Sequence, residues 1–374
     1  MRRPWFVVSL ALLAPLAAQQ PAPPPTPAPN PPAASPPATT PPAEPRERKQ
    51  QNYRYDGTSR PTPGDTSVRE VRKDGAVERQ ETLRDVNGRP VTTRATQERV
   101  VSEQGDNRVS ERVVQRFDPG GRPSGKLVAR IETSRAADGS LVTVETIYEQ
   151  DLNGRMQLAE RRTTTESKAP SGGTASIVVE RPGLQGPIQV VERTDRVDTK
   201  RSDAVTESVS TLRRIDGNGR LEERQREAAV ITKSGSVTNR ETKQWEFQPT
   251  GKLEFVGRST SNITDRPDGS QVEDTEVYAT RIAGTTPDLN RPGIPTLEQK
   301  VRREKKVQPD GRVVETTSAQ IRRVAEPDRL SGLIVTEQVT TPNPQGQTVE
   351  VILSERDANG RMQLVQKSVE EQKK

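Results

Sequence analysis

The sequence contains no cysteine and no histidine. Their absence excludes disulfide staples, thiolate nucleophiles, imidazole bases and zinc sites built on thiolate or imidazole ligands. Aromatic residues are scarce, at 3% of 374 residues, so the side chains that bury the most area apiece contribute little. Hydrophobic residues reach 29%, and past the N-terminus no run is long enough to cross a bilayer as a helix. A large globular core is therefore not expected, although the chain is long enough for two or three domains. Charge of a single sign is missing too: 58 basic residues face 52 acidic ones, interleaved, for a net +6. Disordered chains of such low hydrophobicity usually carry a high net charge. A thin, repetitive sheet fits this composition better.

What is present begins with an export signal. Arg2-Arg3 precede an apolar run from Trp5 to Ala18 that ends in small residues, the layout of a cleaved secretory leader over residues 1–18. No cysteine follows it, which excludes a lipoprotein anchor, so the mature chain is expected to have no transmembrane segment. The predicted address is extracytoplasmic: periplasmic, cell-surface or secreted. Residues 19–67 are rich in Pro and Ala up to Pro45 and polar beyond it. They predict a disordered linker of extended polyproline II character.

From residue 68 to 374 the chain is punctuated by short glycine turns. Asp151-Leu152-Asn153-Gly154-Arg155 returns as Asp357-Ala358-Asn359-Gly360-Arg361, with relatives at Asp85, Asp118 and Asp216. A three-residue hairpin loop of this kind wants a short polar residue second and, where φ is positive, glycine third. One set of glycines stands at 88, 121, 154, 186, 219 and 251, and a second at 105, 139, 172, 235 and 269 interleaves with it. The one missing member of the second set falls near Asp203. The predicted fold class is all-β: a long antiparallel meander of β-hairpin repeats, period about 33 residues with two strands per repeat. With so little apolar surface on either face, the sheet is expected to be single-layered or curled on itself. Irregular insertions are predicted near 168–188 and 281–297.

The turns also fix a register. Residues flanking each loop face one another, which pairs Asp118 with Arg122, Asp151 with Arg155 and Asp216 with Arg220. Further out, Phe247 meets Leu253, Ile215 meets Leu221, Trp245 meets Phe255 and Tyr148 meets Leu158. Alternation along a strand places the Asp–Arg pairs on one face and the aromatic and aliphatic pairs on the other.

The Asp-Ala-Asn-Gly-Arg and Pro-Asp-Gly-Arg turns resemble those of bacterial YD/RHS-type wall repeats, which are extracellular β-hairpin repeats. The resemblance implies stacked hairpins and is confined to turn residues; the Tyr-Asp signature is largely missing, with Tyr55-Asp56 an isolated match. As a calcium loop, Asp-x-Asn-Gly would need a carboxylate twelfth in order. Arg162, Ser368 and Thr96 stand there after Asp151, Asp357 and Asp85, only Glu227 after Asp216 has the right type, and the arginine at position 5 would repel the ion. No nucleophile sits in a Gly-x-Ser-x-Gly motif. The sequence thus nominates no catalytic, cofactor-binding or metal-ligating residue, no cofactor and no enzymatic activity. The expected function is that of an exported, non-enzymatic envelope scaffold, spacer or adhesion-type surface. The alternative is a binder of anionic glycan or lipopolysaccharide through Arg-rich strand faces, which a sequence pI near 9.6 suggests. Expected partners are cell-envelope polysaccharide or another surface protein. Nucleic acid is not expected, since no aromatic platform is interleaved with the basic pairs Arg302-Arg303, Lys305-Lys306 and Arg322-Arg323.

Overall fold

The computed structural model describes residues 46–55, 61–73, 76–84, 88–183, 187–248, 251–280, 295–323, 326–357 and 359–373. The chain divides into two units, 1–42 and 43–374, and the description concerns the second. The expected leader and the linker up to residue 45 lie outside the described residues.

The described residues form twenty strands. The first five are β1 (Arg46–Tyr55), β2 (Pro61–Lys73), β3 (Ala76–Arg84), β4 (Pro90–Gln104) and β5 (Asn107–Phe117). Then come β6 (Pro123–Arg135), β7 (Leu141–Gln150), β8 (Met156–Ala169), β9 (Gly172–Pro182) and β10 (Ile188–Lys200). The next five are β11 (Val205–Ile215), β12 (Leu221–Ser234), β13 (Val237–Phe247), β14 (Leu253–Asp265) and β15 (Gln271–Ala279). The last are β16 (Thr296–Val307), β17 (Val313–Arg323), β18 (Glu326–Asn343), β19 (Gly346–Arg356) and β20 (Met362–Lys373). Each pairs antiparallel with its neighbours in sequence, as the meander predicts. The sheet does not stay open, however. β1 pairs with β20, Arg48 opposite Gln372 through Arg54 opposite Gln366, and a closed β-barrel results.

Closure corrects two expectations. The single-layered or curled open sheet has no free edge, and the predicted linker is partly wall, since β1 and the start of β2 fall within 19–67. Charge explains the seam: Arg48 Nη2 lies 2.6 Å from Glu370 Oε2, and Gln50 Nε2 donates to Ser368 Oγ at 3.1 Å. A third expectation also changes. Residues 168–188 are mostly a regular hairpin, with Ala169 opposite Gly172, and of 281–297 the stretch to 294 lies outside the described residues. The turn expected near Asp203 is present, closed by Arg201 N–H donating to Val205 O at 2.9 Å.

Following paired residues once around the barrel returns to β1 about 20 residues further along. An offset equal to the strand number corresponds to a strand tilt of about 36°. Because strands twist right-handedly, the sense of this offset turns one face of the sheet toward the axis. That is the face of Arg112, Val114, Ala129, Val179 and Ala229. Burial follows this face: the last four of these are buried, as are Glu70, Ser110 and Thr242 on the same face, with Val272 the one buried hydrophobic on the other among the described residues. Ion pairs that reach over an intervening strand also lie there, Arg112 to Glu145 and Arg116 to Glu149, both at 3.1 Å. The core is therefore a scatter of small side chains sealed beneath their longer neighbours.

Candidate functional site

The turns are internally satisfied. Asp151 Oδ1 accepts the backbone N–H of Asn153 at 2.9 Å and of Arg155 at 2.8 Å. Its Oδ2 accepts Gln157 Nε2 at 2.7 Å. Asp357 repeats all three contacts with Asn359, Arg361 and Gln363. The Asp–Arg register is as predicted, but at Asp118, Asp151, Asp216 and Asp357 the carboxylate takes the backbone N–H of the arginine and not its guanidinium. A short carboxylate folded back over the loop points away from the arginine's long side chain. The same geometry explains why Met-Gln-Leu follows both near-identical turns: the glutamine is part of the cap.

The walls are wet on both sides. On the outer face, Arg130, Arg161, Arg226, Lys243, Arg258 and Arg302 all stand near the middle of their strands. Each cation facing lipid at the bilayer midplane would cost about 2–4 kcal/mol. Six of them, before counting the carboxylates, would rival the roughly 5–15 kcal/mol that holds a domain folded. The outer wall therefore faces water. No described helix is long and apolar enough to cross a membrane.

Most of these charges are matched. The basic pairs singled out in the sequence are split between faces: Arg302 bonds Glu304 at 2.8 Å on the outer side, and Arg303 bonds Glu315 at 2.9 Å on the inner side. Like charges also face each other directly. Arg193 lies opposite Arg213, and Asp195 answers both, at 2.9 Å and 2.7 Å. Burial pushes the Asp195 carboxyl up, but hydrogen bonds from Arg193 and Ser176 outweigh it and hold the group below the usual carboxylate value.

One region differs. On the outer face of β12 to β16 the paired residues form successive rows across the strands. The first joins Phe247 to Leu253, and the next joins Arg226 to Trp245 and Phe255. The third runs Ala228, Lys243, Arg258, Tyr278 and Leu297. Trp245, Phe247, Phe255 and Tyr278 are four of the ten aromatic residues in the whole chain, and all are half-buried. Trp245 and Phe255 meet edge to face with centroids 5.9 Å apart. Guanidinium groups cover two other rings: Arg224 sits 4.7 Å above Phe247, and Arg258 sits 4.8 Å above Tyr278. The Tyr278 hydroxyl donates to Glu276 at 2.6 Å, and Lys300 holds Glu276 at 2.8 Å. Hydrogen bonds from Lys300 and Tyr278 keep the Glu276 carboxyl below its ordinary value, while the bond to Glu276 pushes the Tyr278 phenol up.

Beyond the third row lies an open depression of about 490 Å³, lined on this face by Thr232, Asn239, Glu241, Asn262, Asp274 and Glu276. Asn262 Nδ2 donates to Asn239 Oδ1 at 2.8 Å across its floor. The Trp245–Phe255 pair was legible from the turn register. Arg258 and Tyr278 are likewise direct partners in the β14–β15 hairpin, counted back from the Gly269 turn. What no single hairpin predicts is that the β13–β14 and β14–β15 pairs line up in one row with Lys243. Among the described residues no group of carboxylates is arranged to hold a metal ion.

Neither a protein-family model nor a curated protein matches the chain. Among solved structures it is similar to Wzi, an outer membrane protein involved in group 1 capsule assembly in Escherichia coli and a carbohydrate-binding β-barrel. Identity there is 10%, over 88% of this chain and 84% of that one, with a TM-score of 0.49. It is also similar to the outer membrane protein opdK of Pseudomonas aeruginosa, at 10% identity over 88% and 98% of the two chains, with a TM-score of 0.36. Likeness at this level carries no argument about what the protein binds.

Proposed function

We propose that this is an exported, non-enzymatic barrel that binds anionic glycan in the extracytoplasmic space. The leader-like residues 1–18 support export. The observation that carries the binding role is a water-facing outer wall with cations along most of its strands, their ion pairs left half-exposed. Such pairs are individually weak, about 0.2–1 kcal/mol, so a polyanion can exchange for the intramolecular carboxylates at little cost. The wall also offers carboxylates and amides to hydroxyl groups, which suits a polysaccharide better than a bare phosphate backbone. A scaffold or spacer role draws support from the closed wall itself, and the two are separable by experiment. The full chain is passed over immobilised lipopolysaccharide and over a uronic acid polymer at increasing salt. Retention at low ionic strength and release as salt rises is the expected result. A chain that flows through both columns at low salt would leave the scaffold role standing and exclude glycan binding.

A further inference from the structure

We propose that the outer face of β12–β16 is the glycan subsite, and that it takes a carboxylated pyranose: ring against Trp245 and Phe255, carboxylate on Lys243 and on Arg258 as Tyr278 positions it, hydroxyls in the adjoining depression. This rests on the glycan-binding function proposed above and narrows it to one site and one class of sugar.

The first argument is electrostatic. Lys243 and Arg258 stand directly opposite on the same face, an arrangement that is destabilising when nothing lies between the charges. The parallel case at Arg193 and Arg213 is neutralised by Asp195, which bonds both. Here Lys243 is met by Glu241 at 3.3 Å. Arg258 has the Tyr278 ring as its neighbour and, among the described residues, no carboxylate. A carboxylate from outside would do for this pair what Asp195 does for the other, and a planar guanidinium is suited to hold it in two-point fashion.

The second argument is the company these cations keep. The aromatic side chains of this chain are few, yet four gather beside them, half-exposed and without an apolar core to fill. Trp245 presents a flat apolar face with a polar rim, a match for the C–H face of a pyranose, while Tyr278 carries Arg258 over its ring. Their edge-to-face packing leaves no parallel slot for a base to enter. The depression beside them carries Asn239, Asn262, Asp274 and Glu276, which both donate and accept hydrogen bonds. Sugar hydroxyls need both kinds of partner, whereas a phosphodiester chain has acceptors only and would leave the Glu241, Asp274 and Glu276 carboxylates of the depression unanswered.

Trp5 and Trp245 are the two tryptophans of the sequence, so a Trp5→Phe chain reports from this site alone. Its emission is titrated with oligogalacturonate, with neutral maltoheptaose and with oligothymidylate. Oligogalacturonate is expected to shift the emission saturably, and the other two are not. Arg258→Gln and Tyr278→Ala are each expected to raise the midpoint about tenfold, with Lys243→Gln as a second charge variant and circular dichroism confirming that each remains folded. If oligogalacturonate is retained on the column yet leaves Trp245 unchanged, or the variants bind as tightly as the parent, the subsite is wrong and general glycan binding stands. Equal response to maltoheptaose overturns the carboxylate assignment, and tighter response to oligothymidylate overturns the glycan. Failure of both retention and titration removes the proposed function as well.

Discussion

Asp216 shows how a single carboxylate is used in this protein. Its Oδ1 accepts the backbone N–H of Asn218 at 2.8 Å and of Arg220 at 2.9 Å. Hydrogen bonding to the Arg220 and Asn218 N–H groups holds its carboxyl below the ordinary value. Asp268 is lowered by the Ser270 hydroxyl and then its N–H, and Asp310 by the Arg312 N–H. A depressed folded-state pKa means that the unfolded chain binds protons first as pH falls. The stabilisation is therefore present above the unfolded value near 3.9, and it is lost as pH drops through the folded values. Asn at these positions keeps an acceptor oxygen but cannot titrate. Urea midpoints of the parent are expected to fall between pH 5 and pH 2.5, and those of an Asp216→Asn/Asp268→Asn/Asp310→Asn chain to fall less steeply. Equal slopes would show that the caps do not sense protonation. At this scale the sequence was readable: the glycines adopt the positive φ the loop needs, as Gly154 does at 81°. The role of the turn aspartate was half legible, because the turn register shows which groups are opposite but not which atom of the arginine answers.

At the scale of the strand, the register was legible and the curvature was not. Phe247 meets Leu253, Trp245 meets Phe255, Tyr148 meets Leu158 and Ile215 meets Leu221, all as the turn positions require. A bulge next to several loops, as between Gln244 and Trp245, lets the glycine loop and the paired wall coexist. What no hairpin announces is contact across a third strand. Arg112 of β5 reaches over β6 to Glu145 of β7 at 3.1 Å while also holding Glu98 at 2.8 Å, and Ala129, beneath the bridge, is 1% exposed. A small residue at that point is a packing requirement that propensity cannot reveal. Ala129→Leu is expected to push the Arg112 bridge aside and cost about 1–3 kcal/mol through overpacking, read as a lower urea midpoint with unchanged far-ultraviolet dichroism. Unaltered stability would mean that the bridge does not confine Ala129. Gly257 marks a second close approach, since a Cβ there would lie 2.5 Å from the carbonyl oxygen of Tyr278. That glycine lets β15 lie close enough to β14 for Arg258 to cover the tyrosine ring.

For the whole molecule, the decisive contact joins the two ends of the described chain. Neither β1 nor β20 shows an apolar stripe, and β1 carries no Asn-Gly loop, so its stretch of the sequence looks like linker until its cations are set against Glu370 and Glu371. Register places Lys49 opposite Glu371 and Gln50 opposite Glu370, pairings 322 or so residues apart in a chain whose other pairs are local. Loop closure over that distance adds only slowly to the entropic cost, and sealing the seam removes the two open edges that a meander would otherwise expose. The absence of cysteine makes the seam directly testable. Asn52 and Ser368 are paired across it, and antiparallel partners with Cα atoms about 4.5–5.5 Å apart fall in the range a disulfide spans. The measurement is oxidation of an Asn52→Cys/Ser368→Cys chain at low concentration, followed by intact mass and non-reducing electrophoresis. A closed barrel predicts a rapid intramolecular disulfide in the monomer and none in an Asn52→Cys/Thr164→Cys chain, whose second cysteine lies on the inner face of β8. Free thiols in the folded monomer, or disulfides formed solely between molecules, would contradict closure.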